Sequence, residues 1–472
     1  MPSNQNQFFI THTFAGGWAT DYGPQYYGAP DQAHMMQIPF LVDARNVIYE
    51  LDGGPHKCPG TTALNASAIG SSSTTVEGLF DYWRFGAVGT PTQKRIVYAG
   101  TKMYADNADG VFIQQVTGMP SDAVVSFSTF NDLLIMGFND TSTVPQQYDQ
   151  TTWGNLTGSP PRFSFSVKHK NKQWAAGDWT KPGRLYYSVD NNPQDWTSAG
   201  SGSIDIDIGD GDQITGLYSY QNQLVVFKGP YRQSIDMISG SSPTGADAYA
   251  RVTFIKGISA VWQNAIFPFG DDLGFMTPYG SIHSMKTTAA YGNYNQTSLS
   301  FPITTFVRDG LNQNRLKYVW AIDDPLNGRV LITVPQAGSN TNNAVMMMDY
   351  RFGVNAPQQY PRWALWDAFA WASLATVWDT GGAQRNIPMA GTYTGLVVKG
   401  QQATRTNNGT SINYNVKIPF LTYGSEIRMK TLERASVGIQ PKNSNNLTFS
   451  FGDDATAAQT VTLAQGGSDP LL

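Results

Sequence analysis

Apolar residues along this chain come in short runs, and each run is broken by Gly, Asn, Asp or Pro before a second run follows. Arg95-Ile-Val-Tyr-Ala-Gly100 leads to Lys102-Met-Tyr104, and Asn131-Asp-Leu-Leu-Ile-Met-Gly137 leads to Gln147-Tyr148. The same unit recurs at Arg184-Leu-Tyr-Tyr-Ser188, and at Asn222-Gln-Leu-Val-Val-Phe227 with Gln233-Ser-Ile235. It returns at Asp272-Leu-Gly-Phe-Met276 with Ser281-Ile-His283, and at Gly328-Arg-Val-Leu-Ile-Thr-Val334 with Ala344-Val-Met-Met-Met348. A further copy is Met389-Ala-Gly-Thr-Tyr393 with Gly395-Leu-Val-Val398. Runs this short fit strands, and the turn residues between them fit hairpins. The units recur every ~40–55 residues, the spacing of propeller blades, and each supplies a blade's strand, turn and strand. The pattern predicts an all-β chain with a β-propeller-like domain over residues 46–405.

The two ends have a different texture. Residues 1–45 read as an extended arm and entry strand, with no period through Phe14-Ala-Gly-Gly-Trp18 and on to Pro30. The stretches on either side of Asp52-Gly-Gly54 form a candidate hairpin. Trp363-Ala-Leu-Trp-Asp-Ala-Phe-Ala-Trp-Ala-Ser-Leu374 has the alanine content of a short helix. Inside a run of blades it reads better as strand, with Trp366, Phe369 and Trp371 sealing a neighbouring blade. Beyond Arg405-Thr-Asn-Asn-Gly409 the alternation at period two in 414–418, 427–432, 435–439 and 447–451 predicts a small additional C-terminal β domain over 406–472.

Composition narrows the function classes. Charged residues are 14% of the 472, against 47 Gly, 26 Pro and 12% aromatics. Soluble domains usually carry about 25% charge. Such a surface suits strands, turns and subunit contacts better than long solvated helices. The net charge is −4, and no basic stripe offers a grip on phosphates. No apolar run reaches membrane-spanning length, so no membrane insertion is expected, and the polar stretch 1–10 does not read as a signal sequence. The single cysteine, Cys58, leaves no disulfide within the chain. Six Asn-x-Ser/Thr triplets, at Asn65, Asn139, Asn155, Asn295, Asn408 and Asn446, read as chance in so Asn- and Thr-rich a chain.

Candidate chemistry is sparse. The histidines are His12, His34, His56, His169 and His283; no two have the i, i+4 spacing of a helical metal site, and no Gly-x-Ser-x-Gly elbow occurs. Cys58 lies in His56-Lys-Cys-Pro-Gly60, where a neighbouring charge would lower its pKa, yet Pro-Gly marks a structural turn. Asp205, Asp207, Asp210 and Asp212 in Ile204-Asp-Ile-Asp-Ile-Gly-Asp-Gly-Asp212 are oxygen donors of the type Ca²⁺ takes, without EF-hand spacing or its closing Glu. The preferred reading is a strand with Ile204, Ile206 and Ile208 inward and Asp205 and Asp207 in solvent, followed by a turn. Ser188-Val-Asp-Asn-Asn-Pro-Gln-Asp-Trp196-Thr197 is similar to the Asp-box turn of sialidase propellers, but it occurs once and lacks the glycine. Glycoside hydrolysis also needs two positioned carboxylates. The expectation is a non-enzymatic protein with no cofactor and no metal.

Several strings, taken in order, carry a resemblance. Near the N-terminus these are Gly16-Gly-Trp-Ala-Thr-Asp-Tyr-Gly-Pro24, Asp43-Ala-Arg-Asn-Val47, Asp52-Gly-Gly54 and Cys58-Pro-Gly-Thr61. Later come Gly183-Arg-Leu-Tyr-Tyr-Ser-Val-Asp190, Trp196-Thr197, Ile204-Asp205, Gly209-Asp-Gly-Asp-Gln-Ile-Thr-Gly-Leu217, Gln223-Leu-Val-Val-Phe-Lys228, Ser234-Ile235 and Lys256-Gly-Ile258. Over residues 14–290 the set resembles the tail-hub, or packaged-DNA stabilisation, proteins of short-tailed bacteriophages. That resemblance implies a propeller-like subunit of a homo-oligomeric ring, usually a hexamer, in the virion neck, assembled in the host cytoplasm. Portal and adaptor rings would lie above it, and distal tail, needle or fibre proteins below. Viral double-stranded DNA would pass without sequence-specific binding and be held until ejection. The chain departs from the family at its end, Ser468-Asp-Pro-Leu-Leu472, where further strands are expected. The aromatic arm makes Phe14, Trp18, Tyr22, Tyr26 and Tyr27 the interface candidates. The alternatives are a carbohydrate-binding or sialidase-like propeller and a tail-fibre attachment protein.

Overall fold

Where an apolar run ends in Asn or Asp, the chain doubles back. Val125–Phe130 and Leu133–Phe138 pair in register across Asn131 and Asp132, whose φ angles are +50° and +59°. Gln213–Tyr220 and Gln223–Gly229 meet across Gln221 and Asn222, at +45° and +63°. A two-residue turn with both φ positive matches the right-handed twist of the strands it joins, and Asn and Asp tolerate that region best.

The computed structural model describes residues 17–21, 40–50, 54–86, 89–106, 110–291, 298–351, 360–380, 385–418, 447–451 and 459–463. Its strands form a seven-bladed β-propeller. Blade 1 runs Val76–Arg84, Thr92–Ala99, Lys102–Asp106, Phe112–Thr117, and blade 2 runs Val125–Phe130, Leu133–Phe138, Gln146–Tyr148, Trp153–Asn155. Blade 3 is Phe165–His169, Lys172–Ala176, Arg184–Tyr187, Gly202–Asp205; blade 4 is Gln213–Tyr220, Gln223–Gly229, Ser234–Ser239, Ala250–Lys256. Blade 5 has three strands, Ile266–Phe269, Asp272–Met276 and Ile282–Ser284, and is followed by helical turns at Met285–Tyr291, Thr304–Asp309 and Gln313–Tyr318. Blade 6 is Ala321–Asp324, Arg329–Val334, Ala344–Asp349, Arg362–Trp366, and blade 7 begins Trp371–Trp378, Asn386–Thr392, Val397–Gln402.

The ring is closed by the N-terminal region. Gly60–Ala63 adds antiparallel to Val397–Gln402 as the fourth strand of blade 7, before the chain enters blade 1. Gly60 is required there, because a Cβ would stand 2.3 Å from the Thr406 carbonyl oxygen. Blade 6 is extended in the same way: Asp43–Arg45 lies parallel to its last strand, with Arg45 opposite Leu365. The hairpin expected around Asp52 pairs Val47–Tyr49 with Pro55–Lys57. Strands, not a helix, occupy the Trp363–Leu374 region. Between blades 6 and 7, Trp366, Phe369 and Trp371 form a chain of ring contacts at 5.8 and 4.9 Å.

Beyond residue 406 the chain stays on the propeller for a further stretch. Thr406–Asn407 and Thr410–Ser411 extend the blade 7 sheet past Gly60–Ala63, and Asn415–Lys417 pairs with Asp43–Arg45. Leu447–Phe451 and Gln459–Leu463 form a separate hairpin. The alternating stretches 427–432 and 435–439 lie outside the described residues.

Hydroxyls tie successive blades together near the axis. Thr215 of blade 4 donates to the Ala260 carbonyl that leads into blade 5, and Ser373 of blade 7 donates to the Val76 carbonyl of blade 1, at 2.7 and 2.8 Å. Ser126 of blade 2 does the same to the Ser164 carbonyl leading into blade 3, at 2.8 Å. A neutral donor that stays hydrogen-bonded while buried holds the blades in register at little desolvation cost.

Candidate functional site

The acidic run is a clasp between blades 3 and 4. Arg184 grips Asp205 with two bonds of 2.5 and 2.7 Å inside blade 3. Arg251, on the outer strand of blade 4, reaches across to Asp207 at 2.5 and 2.9 Å and to the buried Asp236 at 2.9 Å. Lys228 is buried, and its ammonium is met by Asp210 and by the Asp207 carbonyl at 2.8 Å. The Asp212 carboxylate accepts the backbone N–H groups of Tyr231, Arg232 and Gln233 at 2.6, 2.8 and 2.9 Å. Hydrogen bonds from Arg184 and Arg251 hold the Asp205 and Asp207 carboxyls below the usual carboxylate range. Each of the four carboxylates therefore already has a partner from the protein. No cluster of three or more candidate metal ligands occurs among the described residues.

The side-chain pattern expected here needs one correction. Ile206 is buried, but Ile208 is 60% exposed. The strand ends at Asp205, and Asp207 enters the left-handed region at φ +42°, which turns Ile208 outward.

Trp18 is also placed differently from the interface role expected of it. It is buried in its own chain, in contact with Phe306 at 4.7 Å, and its indole donates to the Val42 carbonyl. Gly17 lies so close to Arg362 that a Cβ would come within 2.9 Å. Trp18 is therefore part of the propeller's own packing. Phe14, Tyr22, Tyr26 and Tyr27 fall outside the described residues, as do His12 and His34.

A cavity of about 170 Å3 opens at the face where the innermost strands begin. Its lining comes from blades 2, 3 and 4 and from the segments on either side of blade 5: Asn139, Trp179, Gln213 and Thr215, Pro230, Val261 and Trp262, and Lys317. The turn Gln263–Ala265 lies across the channel mouth beside it. Gln263 bridges both backbone groups of Leu217, and Asn264 reaches the Val125 carbonyl of blade 2 at 3.3 Å. Trp262 is wedged edge-on against Phe165 at 5.7 Å, whereas Trp179 is 44% exposed. Lys317 and Arg315 stand over the Tyr318 ring at 5.0 and 3.9 Å. No feature of the sequence pointed to this grouping, because its members are scattered over 179 positions and come together only when the ring closes.

No protein-family model matches the chain, and no curated protein does. Among solved structures it is similar to the WD40 β-propeller domain of Doa1, at 10% identity and a TM-score of 0.41, over 72% of this chain and 97% of that one. It is also similar to YCF48 from Cyanidioschyzon merolae, at 9% identity and 0.41, over 72% and 98% of the two chains. For Sqt1 of Saccharomyces cerevisiae the values are 8% and 0.40, over 73% and 100%.

The reactive side chains that are described have structural settings. His169 shares its Nδ1 with the Ser219 hydroxyl at 2.8 Å, and His283 lies against Phe275. Burial pushes both imidazoles down to about 4, with Lys170 adding to the effect at His169. Burial pushes the Cys58 thiol up to about 12, so it carries almost no thiolate near neutrality. Glu77 sits in the bulge between Val76 and Gly78 on the innermost strand of blade 1. Its Oε2 is buried and has no partner among the described residues, and burial with the nearby Asp122 raises its carboxyl to about 8. The Asp-box-like stretch is a self-contained turn. Asp195 accepts the N–H groups of Thr197 and Ser198, Trp196 donates to the Pro193 carbonyl, and its ring packs on Phe163. No helix among the described residues is long and apolar enough to cross a membrane.

Proposed function

We propose that this chain is a non-catalytic structural subunit of a bacteriophage tail hub. Six copies would form a ring below the portal and adaptor rings, surround the DNA channel in the virion neck and retain the genome until ejection. One observation carries the reading. The strings similar to tail-hub proteins between 183 and 258 supply Arg184, Asp205, Asp210, Asp212 and Lys228, and these residues build the clasp of blades 3 and 4. The resemblance thus falls on side chains that set the architecture, where kinship in a structural protein would be written.

Two further features support an interaction role. Ile208 and Tyr231, 60% and 79% exposed, flank the clasp on backbone that its hydrogen bonds hold still. Apolar side chains fixed on a rigid rim are suited to a subunit contact, since little ordering entropy remains to be lost. A heterologous contact of this kind closes into a ring when the rotation between neighbours is right. The low charge of the chain fits the same use.

The test is a complementation assay with neck-deficient particles. Particles assembled without this protein should leak DNA to added nuclease, and purified chain should restore protection. The double variant Ile208→Asp/Tyr231→Asp should restore less than a tenth of it while melting at the parent temperature. Equal DNA loss with and without the purified parent protein would refute the proposal.

A further inference from the structure

The cavity at the channel mouth has a specific chemistry. Its floor and walls are Trp179, Pro230, Val261 and Trp262, which give it room and surface for one apolar side chain. Lys317 lines this seat, and its ammonium and the Arg315 guanidinium both stand over the ring of Tyr318. Among the described residues no carboxylate lies within ion-pair distance of either, and the Arg315 Nε is buried without a hydrogen-bond partner. The Asn139 Oδ1 on another wall is likewise buried without one. Among the described residues, Lys172 reaches two carbonyls and Asp190, and Lys228 and Arg251 have their aspartates. Arg84 and Arg329 also carry a buried Nε without a hydrogen bond, but Arg84 donates to the Asp149 carbonyl and Arg329 pairs with Asp349.

We propose that the channel mouth binds an acidic polypeptide segment through one apolar anchor. The anchor enters between Trp179 and Trp262, where full desolvation in a small well-packed seat concentrates binding energy. A carboxylate next to the anchor pairs with Lys317 and Arg315, which are pre-oriented by the Tyr318 ring and need little rearrangement to accept it. The segment's backbone N–H supplies the donor that Asn139 lacks. The turn Gln263–Ala265, fastened to Leu217 and Val125, fixes the floor so that the seat exists before the partner arrives. This role uses the seat between Trp179 and Trp262, whereas the proposed ring contact uses the exposed side chains of Ile208 and Tyr231, with Tyr231 adjoining the seat at Pro230.

The experiment titrates the full chain with three blocked tripeptides and follows tryptophan fluorescence together with saturation-transfer NMR. The probes are acetyl-Asp-Leu-Asp-amide, acetyl-Lys-Leu-Lys-amide and acetyl-Asp-Gly-Asp-amide, and methyl glucuronide serves as an acidic sugar control. Saturable binding of the Asp-Leu-Asp probe is expected, with the other two peptides and the sugar at least tenfold weaker. Lys317→Glu should reverse the preference so that the Lys-Leu-Lys probe binds better. Trp179→Ala should weaken the acidic probe tenfold or more, and as Trp179 is partly exposed the melting temperature should hardly move. The proposal is overturned if the Asp-Leu-Asp probe fails to saturate, if Lys317→Glu leaves the preference unchanged, or if the sugar binds as tightly as the peptide.

Discussion

Glu77 keeps its proton up to about pH 8, because burial, reinforced by Asp122, disfavours its charge. In the unfolded chain it would release that proton near 4.5. Between these values the folded state binds the extra proton, so stability falls as pH rises through the window. His169 and His283 act in the opposite sense. Folded, they resist protonation down to about 4, whereas unfolded they take it up near 6.5, so stability falls as pH drops from 6.5 towards 4. The windows overlap from 4.5 to 6.5, where two histidines outweigh one glutamate, so thermal melts across pH should peak near 6.5. Glu77→Gln should melt above the parent at pH 8 and level with it at pH 4.5. Melting curves that stay parallel at every pH would show that Glu77 ionises freely in the fold.

Two elements bear most of the local argument, the clasp and the N-terminal entry. Asp212→Ala would leave three backbone N–H groups of the Tyr231–Gln233 loop without an acceptor, at a cost of ~2 kcal/mol or more. EDTA should not reproduce that loss, since the partners of the acidic run are Arg184, Arg251, Lys228 and backbone N–H groups. If EDTA lowered the melting temperature of the parent and Ca²⁺ restored it, the clasp would be an ion site. Trp18→Ala should cost about 3–5 kcal/mol, the usual penalty for a buried aromatic, read from denaturant unfolding. A change below 1 kcal/mol would return Trp18 to the role of an exposed arm residue. These elements also show what the sequence could and could not convey. The strand-turn-strand units were legible because Asn131-Asp132 and Gln221-Asn222 are local signals that act on their immediate neighbours. The Trp363–Leu374 stretch was legible as strand from its aromatics. The use of Gly60–Ala63 in blade 7 was not, since its partner Val397–Gln402 is more than 330 positions away. Ile208 departs from the period-two expectation because Asp207 takes a left-handed φ and turns it outward. Lys317, Trp179 and Asn139 had no local signal at all, and only the closed ring makes them neighbours.

At the scale of the whole molecule, closure by an N-terminal strand makes the propeller one cooperative body: blade 7 cannot be completed until Gly60–Ala63 is in place. A rigid disc with a clasped rim and a preformed axial seat is suited to permanent assembly, with copies packing side by side and a different partner docking along the axis. The hub proposal turns on that assembly. The most direct measurement is electron cryo-microscopy of the virion neck, with symmetry left free. The account expects a ring of seven-bladed discs below the adaptor, repeated about a sixfold axis, with Ile208 and Tyr231 at the contact between neighbouring discs. A neck in which no ring accommodates this propeller would contradict it.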